Sequence, residues 1–213
     1  MSKTALVAGA TGLIGQHLVS RLLSGGAYTR IRVLARRPLS LEDSRIETLI
    51  TDYSDLSSLD LQADDVYCCL GTTLKTAGSK QAFEKVDYGM VMDLARAARK
   101  QGARQFLVVS AAGTSETSPS FYSRVKAKME REVSMLDYEA VHILRPSLLL
   151  GTRAESRPAE HLSQVIMPLF SPLLFGPLKR YRAVKAEDVA EAMLLLALRE
   201  QRGIHIHHLP LDQ

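Results

Sequence analysis

The sequence predicts an α/β fold: a doubly wound parallel sheet with helices on both faces, of the Rossmann type. Three observations carry that expectation. Short apolar runs alternate with longer stretches of helical period. The first run leads straight into a glycine-rich turn and then a helix. The chain has 213 residues, 46% of them apolar and 23% charged, which is enough for one well-buried core and short for two. Residues 1–213 are therefore expected as a single domain, with a core over 1–150 and a C-terminal extension over 151–213.

In chain order, residues 4–8, 31–35, 46–50, 66–70, 105–110 and 140–144 read as strands. Each is too continuously apolar to leave one face in water, as strands of a covered parallel sheet are. Between the first two, residues 13–24 place Leu13, Ile14, Leu18 and Leu22 on one helical face and stop at Gly25-Gly26. Residues 81–101 do the same with Phe83, Val86, Met90, Leu94 and Ala97. A third helix is expected over 119–136, with Ser118 as N-cap, Pro119 in the first turn and Val125, Met129, Val133 and Leu136 inward. Strand and helix repeated in this way give right-handed crossovers that lay helices on both sheet faces. After Arg145-Pro146 the pattern loosens into a proline-rich stretch ending near Pro177. A helix over 187–198 and a strand over 204–209 follow, and this tail is expected to lie over the sheet's carboxyl edge and wall a pocket.

Charge excludes little. The 27 basic residues exceed the 23 acidic ones by four and are spread along the chain. The densest basic run, Lys179-Arg180-Tyr181-Arg182, reads as a solvated loop, so no nucleic-acid partner is expected. Cys68 and Cys69 are neighbours in a strand and point to opposite faces, which disfavours a mutual disulfide and fits a reducing compartment; they read as small core residues. The apolar run after Lys3 is too short for a signal peptide, and no run approaches the ~18 residues of a membrane span. The expectation is a cytoplasmic protein without a membrane partner.

The chemistry begins at Gly9-Ala10-Thr11-Gly12-Leu13-Ile14-Gly15, between the first strand and its helix. Glycines there let the backbone turn tightly and approach a pyrophosphate, met by free N–H groups at the helix start. Gly9, Thr11, Gly12, Leu13 and Ile14 are the cofactor-binding candidates. The spacing is G-x-x-G-x-x-G, not the G-x-G-x-x-G fingerprint, but its place at the first strand–helix junction points to a dinucleotide. The second strand ends in Arg36-Arg37 where an NAD site usually carries an acid, and two arginines suit a 2′-phosphate, so the expected cofactor is NADP(H). Asp52, after the third strand, is placed to accept from an adenine amino group, although an Asp in a turn often bonds only its own backbone.

Tyr122 and Lys126 lie four apart on a predicted helix, one turn apart on one face. An ammonium beside a phenol favours the phenolate, which suits the tyrosine to exchange a proton with a substrate oxygen. Ser110, at the end of the fifth predicted strand, is positioned to bond the same oxygen. No metal is expected: His205, His207 and His208 read as residues of an exposed terminal strand. Met167, Leu169, Phe170, Leu173, Leu174 and Phe175 either line an apolar substrate pocket or pack the tail onto the sheet.

With these residues in place the sequence resembles the short-chain dehydrogenase/reductase superfamily over nearly its whole length. Within it, the likeness is to the atypical branch of Tat-interacting oxidoreductase-like proteins. The matching blocks are Cys68-Cys69-Leu70-Gly71-Thr72-Thr73, Lys85-Val86-Asp87, Tyr122-Ser123-Arg124-Val125-Lys126, Arg145-Pro146 and Glu155-Ser156-Arg157-Pro158. The resemblance implies NADP(H) binding with Leu70, Gly71 and Thr72 beside the cofactor, Ser110, Tyr122 and Lys126 as the active-site set, and the segment from Pro146 near the nicotinamide. It also implies protein partners. One departure stands out. Many members of the superfamily place an asparagine in a proton relay, whereas this chain contains no Asn and has Asp87 where it often stands, so the relay is absent, altered or carried by water. Two functions follow: an oxidoreductase acting on a small carbonyl or alcohol, or an NADP(H)-binding regulatory or scaffold protein.

Overall fold

The computed structural model describes residues 3–150 and 183–210. Strands β1 (Lys3–Ala8), β2 (Tyr28–Ala35), β3 (Ile46–Ile50), β4 (Asp65–Cys68), β5 (Gln105–Val109) and β6 (Ala140–Pro146) build one parallel sheet. Two short strands, β7 (Leu149–Leu150) and β8 (Val184–Lys185), pair separately, and β9 (Gly203–Leu209) completes the main sheet, whose order is β3-β2-β1-β4-β5-β6-β9. All its pairings are parallel. This is the doubly wound Rossmann-like fold expected from the alternation.

Helices α1 (Leu13–Gly25), α2 (Leu74–Ala77), α3 (Lys80–Glu84), α4 (Val91–Lys100), α5 (Phe121–Ser134) and α6 (Ala186–Leu198) cover it. Period-2 alternation divides the strands between two cores. Ala5, Val7, Ile31, Val33 and Leu107 pack with Leu18 and Leu22 of α1 and Val189 and Met193 of α6. Leu6, Val66, Phe106, Val108 and Ile143 pack with Leu94 of α4 and Met129 and Val133 of α5. Of the tail expected to lie over the carboxyl edge and wall a pocket, α6 instead packs beside α1 against one sheet face and β9 extends the sheet next to β6; residues 151–182, with the Glu155–Pro158 block, the basic run at 179–182 and the apolar set from Met167 to Phe175, lie outside the described residues.

Three local expectations are corrected. The N-cap of α5 is Ser120, whose Oγ accepts the Ser123 N–H; Ser118 instead accepts the N–H of Ser120, one turn of loop earlier. The helix expected over 81–101 is broken into α3, a π-helical turn at Lys85–Met90, and α4. The wide turn carries an extra residue, so Asp87, Val91 and Met92 become buried in place of the expected Val86 and Met90, which are half-covered. Nor is every strand dry: β3 is an edge strand with Ile50 52% exposed, and at the other edge Ile204 is 56% exposed.

Buried charge also ties the elements together. Glu130 of α5 receives both Nε (3.0 Å) and Nη2 of Arg145 on β6, so this arginine fixes α5 to the sheet. Arg32 of β2 is held by Asp60 and Glu47. Beneath the sheet Tyr28 donates to Asp65 (2.6 Å) and Gln105 donates to its other oxygen (2.7 Å).

Of the C-terminal histidines, His205 and His207 belong to a stack. His142 of β6 is fully buried, its Nδ1 lies 3.0 Å from His207 Nε2, and its ring stacks on His205 at 5.1 Å. Burial first, then the neighbouring imidazoles, pull His142 down to about 4. An unfolded histidine titrates near ~6.5. Between these values the unfolded chain binds the extra proton, so stability is full above about pH 6.5 and falls as pH drops towards 4, by up to about 3 kcal/mol. Thermal unfolding across that window in wild type and His142→Leu checks this. The variant is expected to lose less stability in acid, and parallel losses would contradict the assignment.

Candidate active site

The site forms where the strand order reverses, between β1 and β4, since neighbouring crossovers there leave to opposite faces and open a crevice at the strands' carboxyl ends. Gly9 leaves β1 with φ +82°, and a Cβ on it would stand 2.6 Å from the Cys69 carbonyl oxygen. The Gly12 N–H closes the turn on Gly9 O at 3.0 Å. Gly15 is tighter still, because its Cβ would lie 2.1 Å from the same oxygen. Helix α1 thus starts flush against the strand end. Its N-cap, Gly12, has no side chain to cover the first N–H groups, and no acid occupies the first turn. Such a helix start presents free donors and the positive end of the helix dipole.

From there a cleft of about 650 Å³ opens. Thr11, Gly12, Leu13, Ile14 and Gln16 form one wall, Cys69 to Thr73 another, and Val109, Ser110, Tyr122, Lys126, Asp87 and Leu149 the far side. Most of the residues predicted from sequence therefore converge: Thr11, Gly12, Leu13, Ile14, Leu70, Gly71, Thr72, Ser110, Tyr122 and Lys126 all line it. Others do not. Gly9 lies under the turn, and Pro146 is buried at the end of β6, its carbonyl accepting from Ala112. Arg36 and Arg37 are exposed on the turn directly after β2. Asp52 is exposed as well, and its Oδ1 accepts both the N–H (2.9 Å) and the hydroxyl (2.6 Å) of Ser54, the self-contained turn that an aspartate often makes.

Ser110 follows β5 and is buried, its Oγ without a hydrogen-bond partner among the described residues. A buried hydroxyl left unpaired is costly, and this one belongs to a cleft-lining residue. Tyr122 sits in the first turn of α5 with its ring 5.3 Å from Phe83. Lys126, one turn on, reaches the Val109 carbonyl at 3.4 Å. Its closest charge is Asp87: Nζ to Oδ1 is 2.8 Å, with the two side chains only 4% and 1% exposed. The other Asp87 oxygen accepts the Thr72 N–H at 2.8 Å. The π-turn therefore delivers a carboxylate that clamps both the loop after β4 and Lys126.

That clamp corrects the sequence reading of Tyr122. Lys126 does pull its hydroxyl towards ionisation, but burial outweighs the pull and Asp87 opposes it, so the phenol titrates above its ordinary value. Sequence reasoning also missed Gln16, whose Nε2 donates to the Thr11 carbonyl at 3.1 Å, and Leu149. Asp87 did leave a signal, an acid four residues after the inward Phe83, which a purely apolar pattern discards.

The cleft fits a dinucleotide. A side chain at Gly9 or Gly15 would fill the cradle, the open start of α1 suits a diphosphate, and Ser110 offers a hydroxyl with its bond unmade. The model of the NAD dependent epimerase/dehydratase family matches residues 5–209. The chain belongs to that family. It is 34% identical over 212 residues to the fmp52 protein of Aspergillus clavatus, covering 95% of this chain and 90% of that one. It is 31% identical over 169 residues to HTATIP2 of Rattus norvegicus, covering 76% and 69%, which bears out the resemblance to Tat-interacting proteins. Among solved structures, MoeE5 in complex with UDP-glucose and NAD superposes with a TM-score of 0.71 at 20% identity, covering 96% of this chain and 75% of that chain. Human SDR39U1 with NADPH gives 0.66 at 18%, covering 97% and 74%. These two likenesses show the shared fold.

One expectation is overturned. The cytoplasmic location read from the chain's start is corrected by the fungal relatives, which are named as mitochondrial proteins. Among the described residues no helix is long and apolar enough to cross a membrane.

Proposed function

We propose that this family member is an NADP(H)-dependent oxidoreductase acting on a small carbonyl or alcohol substrate. The observation that carries the reading is the convergence of Ser110, Tyr122 and Lys126 on the same cleft as the glycine turn and Leu70 to Thr72. The bound dinucleotide supplies the two-electron redox chemistry. The chain's own residues do the rest. Free N–H groups at the start of α1 hold the diphosphate. Arg36 and Arg37 bind the 2′-phosphate, and Asp52 meets the adenine from its turn. Lys126 holds the ribose, Gly71 and Thr72 run beside the cofactor, and the segment from Pro146 lies near the nicotinamide. Ser110 Oγ orients the substrate oxygen and Tyr122 exchanges a proton with it.

The test is NADPH consumption by the purified protein against a panel of aldehydes and ketones. Turnover of at least one is expected, and a panel with no turnover would leave only dinucleotide binding standing. For cofactor choice, replacing Arg36 and Arg37 with Gln is expected to weaken NADPH by about 10- to 100-fold, the worth of one or two charge-assisted bonds, while leaving NADH nearly unchanged. Equal losses for the two cofactors would remove the 2′-phosphate role.

A further inference from the structure

Resting on the oxidoreductase reading, we infer that Asp87 is a positioning residue: by pairing with Lys126 in a buried ion pair it helps keep Tyr122 protonated at neutral pH, the state that donates a proton in carbonyl reduction. A lone buried ammonium one turn from Tyr122 would draw out the phenolate and make a base suited to alcohol oxidation. This ammonium is not alone. Its carboxylate partner stands at 2.8 Å, held from behind by the Thr72 N–H and by the π-turn that carries it. The carboxylate offsets part of the ammonium's pull on Tyr122, and burial of the ring outweighs the rest and favours the phenol.

The charged groups that face Tyr122 and Lys126 among the described residues are few. Tyr122 meets Lys126 from its own helix and Asp87 from the π-turn, with the uncharged Phe83 ring of α3 against its face. Lys126 meets those two and Cys68 of β4, whose thiol burial holds in the neutral form, pushed up to about 12. Among the described residues no second cation reinforces Lys126, and the phenol titrates above its ordinary range, in keeping with the geometry.

The step balances. The Tyr122 O–H bond breaks, its proton bonds to the carbonyl oxygen, and its electron pair stays on the tyrosine oxygen. The carbonyl carbon gains two electrons and a hydrogen from the reduced dinucleotide, and water returns a proton to the phenolate.

The experiment is a phenolate absorbance titration of the full chain without ligand, in wild type and Asp87→Asn, each corrected by its Tyr122→Phe counterpart. Wild-type Tyr122 is expected to titrate above a free tyrosine, and Asp87→Asn, which keeps an acceptor for the Thr72 N–H, is expected to lower the midpoint by about 1–3 pH units. Asp87→Glu is expected to restore it. In turnover, Asp87→Asn should move the rise of alcohol oxidation with pH to lower pH by a similar amount. Should Asp87→Asn fail to fold, the wild-type midpoint decides alone, since a value below that of free tyrosine overturns the inference. So does a midpoint, or a pH profile of alcohol oxidation, that Asp87→Asn leaves in place. Failure of wild type to bind NADPH or NADH would instead defeat the oxidoreductase reading on which the inference rests.

Discussion

Gly15→Ala is expected to lower stability by about 2–3 kcal/mol and to weaken dinucleotide binding by roughly a hundredfold. The added Cβ would sit 2.1 Å from Gly9 O and 2.7 Å from Ala10 Cα, both backbone atoms, so no side chain can swing aside. Either α1 backs away from β1 or the Gly9–Gly12 turn opens. Overpacking of this kind costs about 1–3 kcal/mol, and misplacing a binding element by an ångström costs about 10²-fold. Chemical denaturation and a binding titration on the same preparation separate the two effects. An unchanged dissociation constant in a well-folded variant would show that the turn does not cradle the ligand.

Tyr122→Phe is expected to reduce carbonyl turnover by about 10²- to 10⁴-fold, the worth of a positioned general acid, with little change in NADPH affinity. The substitution removes only the hydroxyl. The ring that packs against Phe83 remains, so α5 and with it Lys126 stay in place. A regulatory protein that merely holds the cofactor would keep its function in this variant. Retention of turnover would move the proton transfer to another group, and Ser110→Ala, which removes the cleft hydroxyl left without a partner among the described residues, would then be the next variant to measure.

The fold was legible because its signals are local. The strand at 46–50 and the start of α1 at Leu13 fall where periodicity and the glycine turn put them. Tyr122 and Lys126 were legible for the same reason, since four residues on a helix make one face. What escaped the sequence is long-range and polar. Asp87 falls on the Phe83 face at helical spacing, but its partner Lys126 stands on another element that the local pattern does not bring to it. Arg145 reads as a motif residue, yet the structure shows it clasping Glu130 of α5. Tyr28, Asp65 and Gln105 form their buried network from three strands far apart in sequence. Ser118 with Pro119 behind it reads as the cap, and the chain's entry into α5 places Ser120 there instead. The electrostatics of Tyr122 were misjudged because burial of its ring outweighs the pull of Lys126, and the Asp87 carboxylate that also opposes that pull arrives from another element.

The central claim is that the cleft between β1 and β4 is a dinucleotide site. The most direct measurement is a titration of the purified chain with NADPH and with NADH, following nicotinamide fluorescence and thermal stabilisation together. Saturable binding of both, tighter for NADPH, with a rise in unfolding temperature that grows with ligand concentration, is the predicted result. No saturable signal and no stabilisation with either would contradict it.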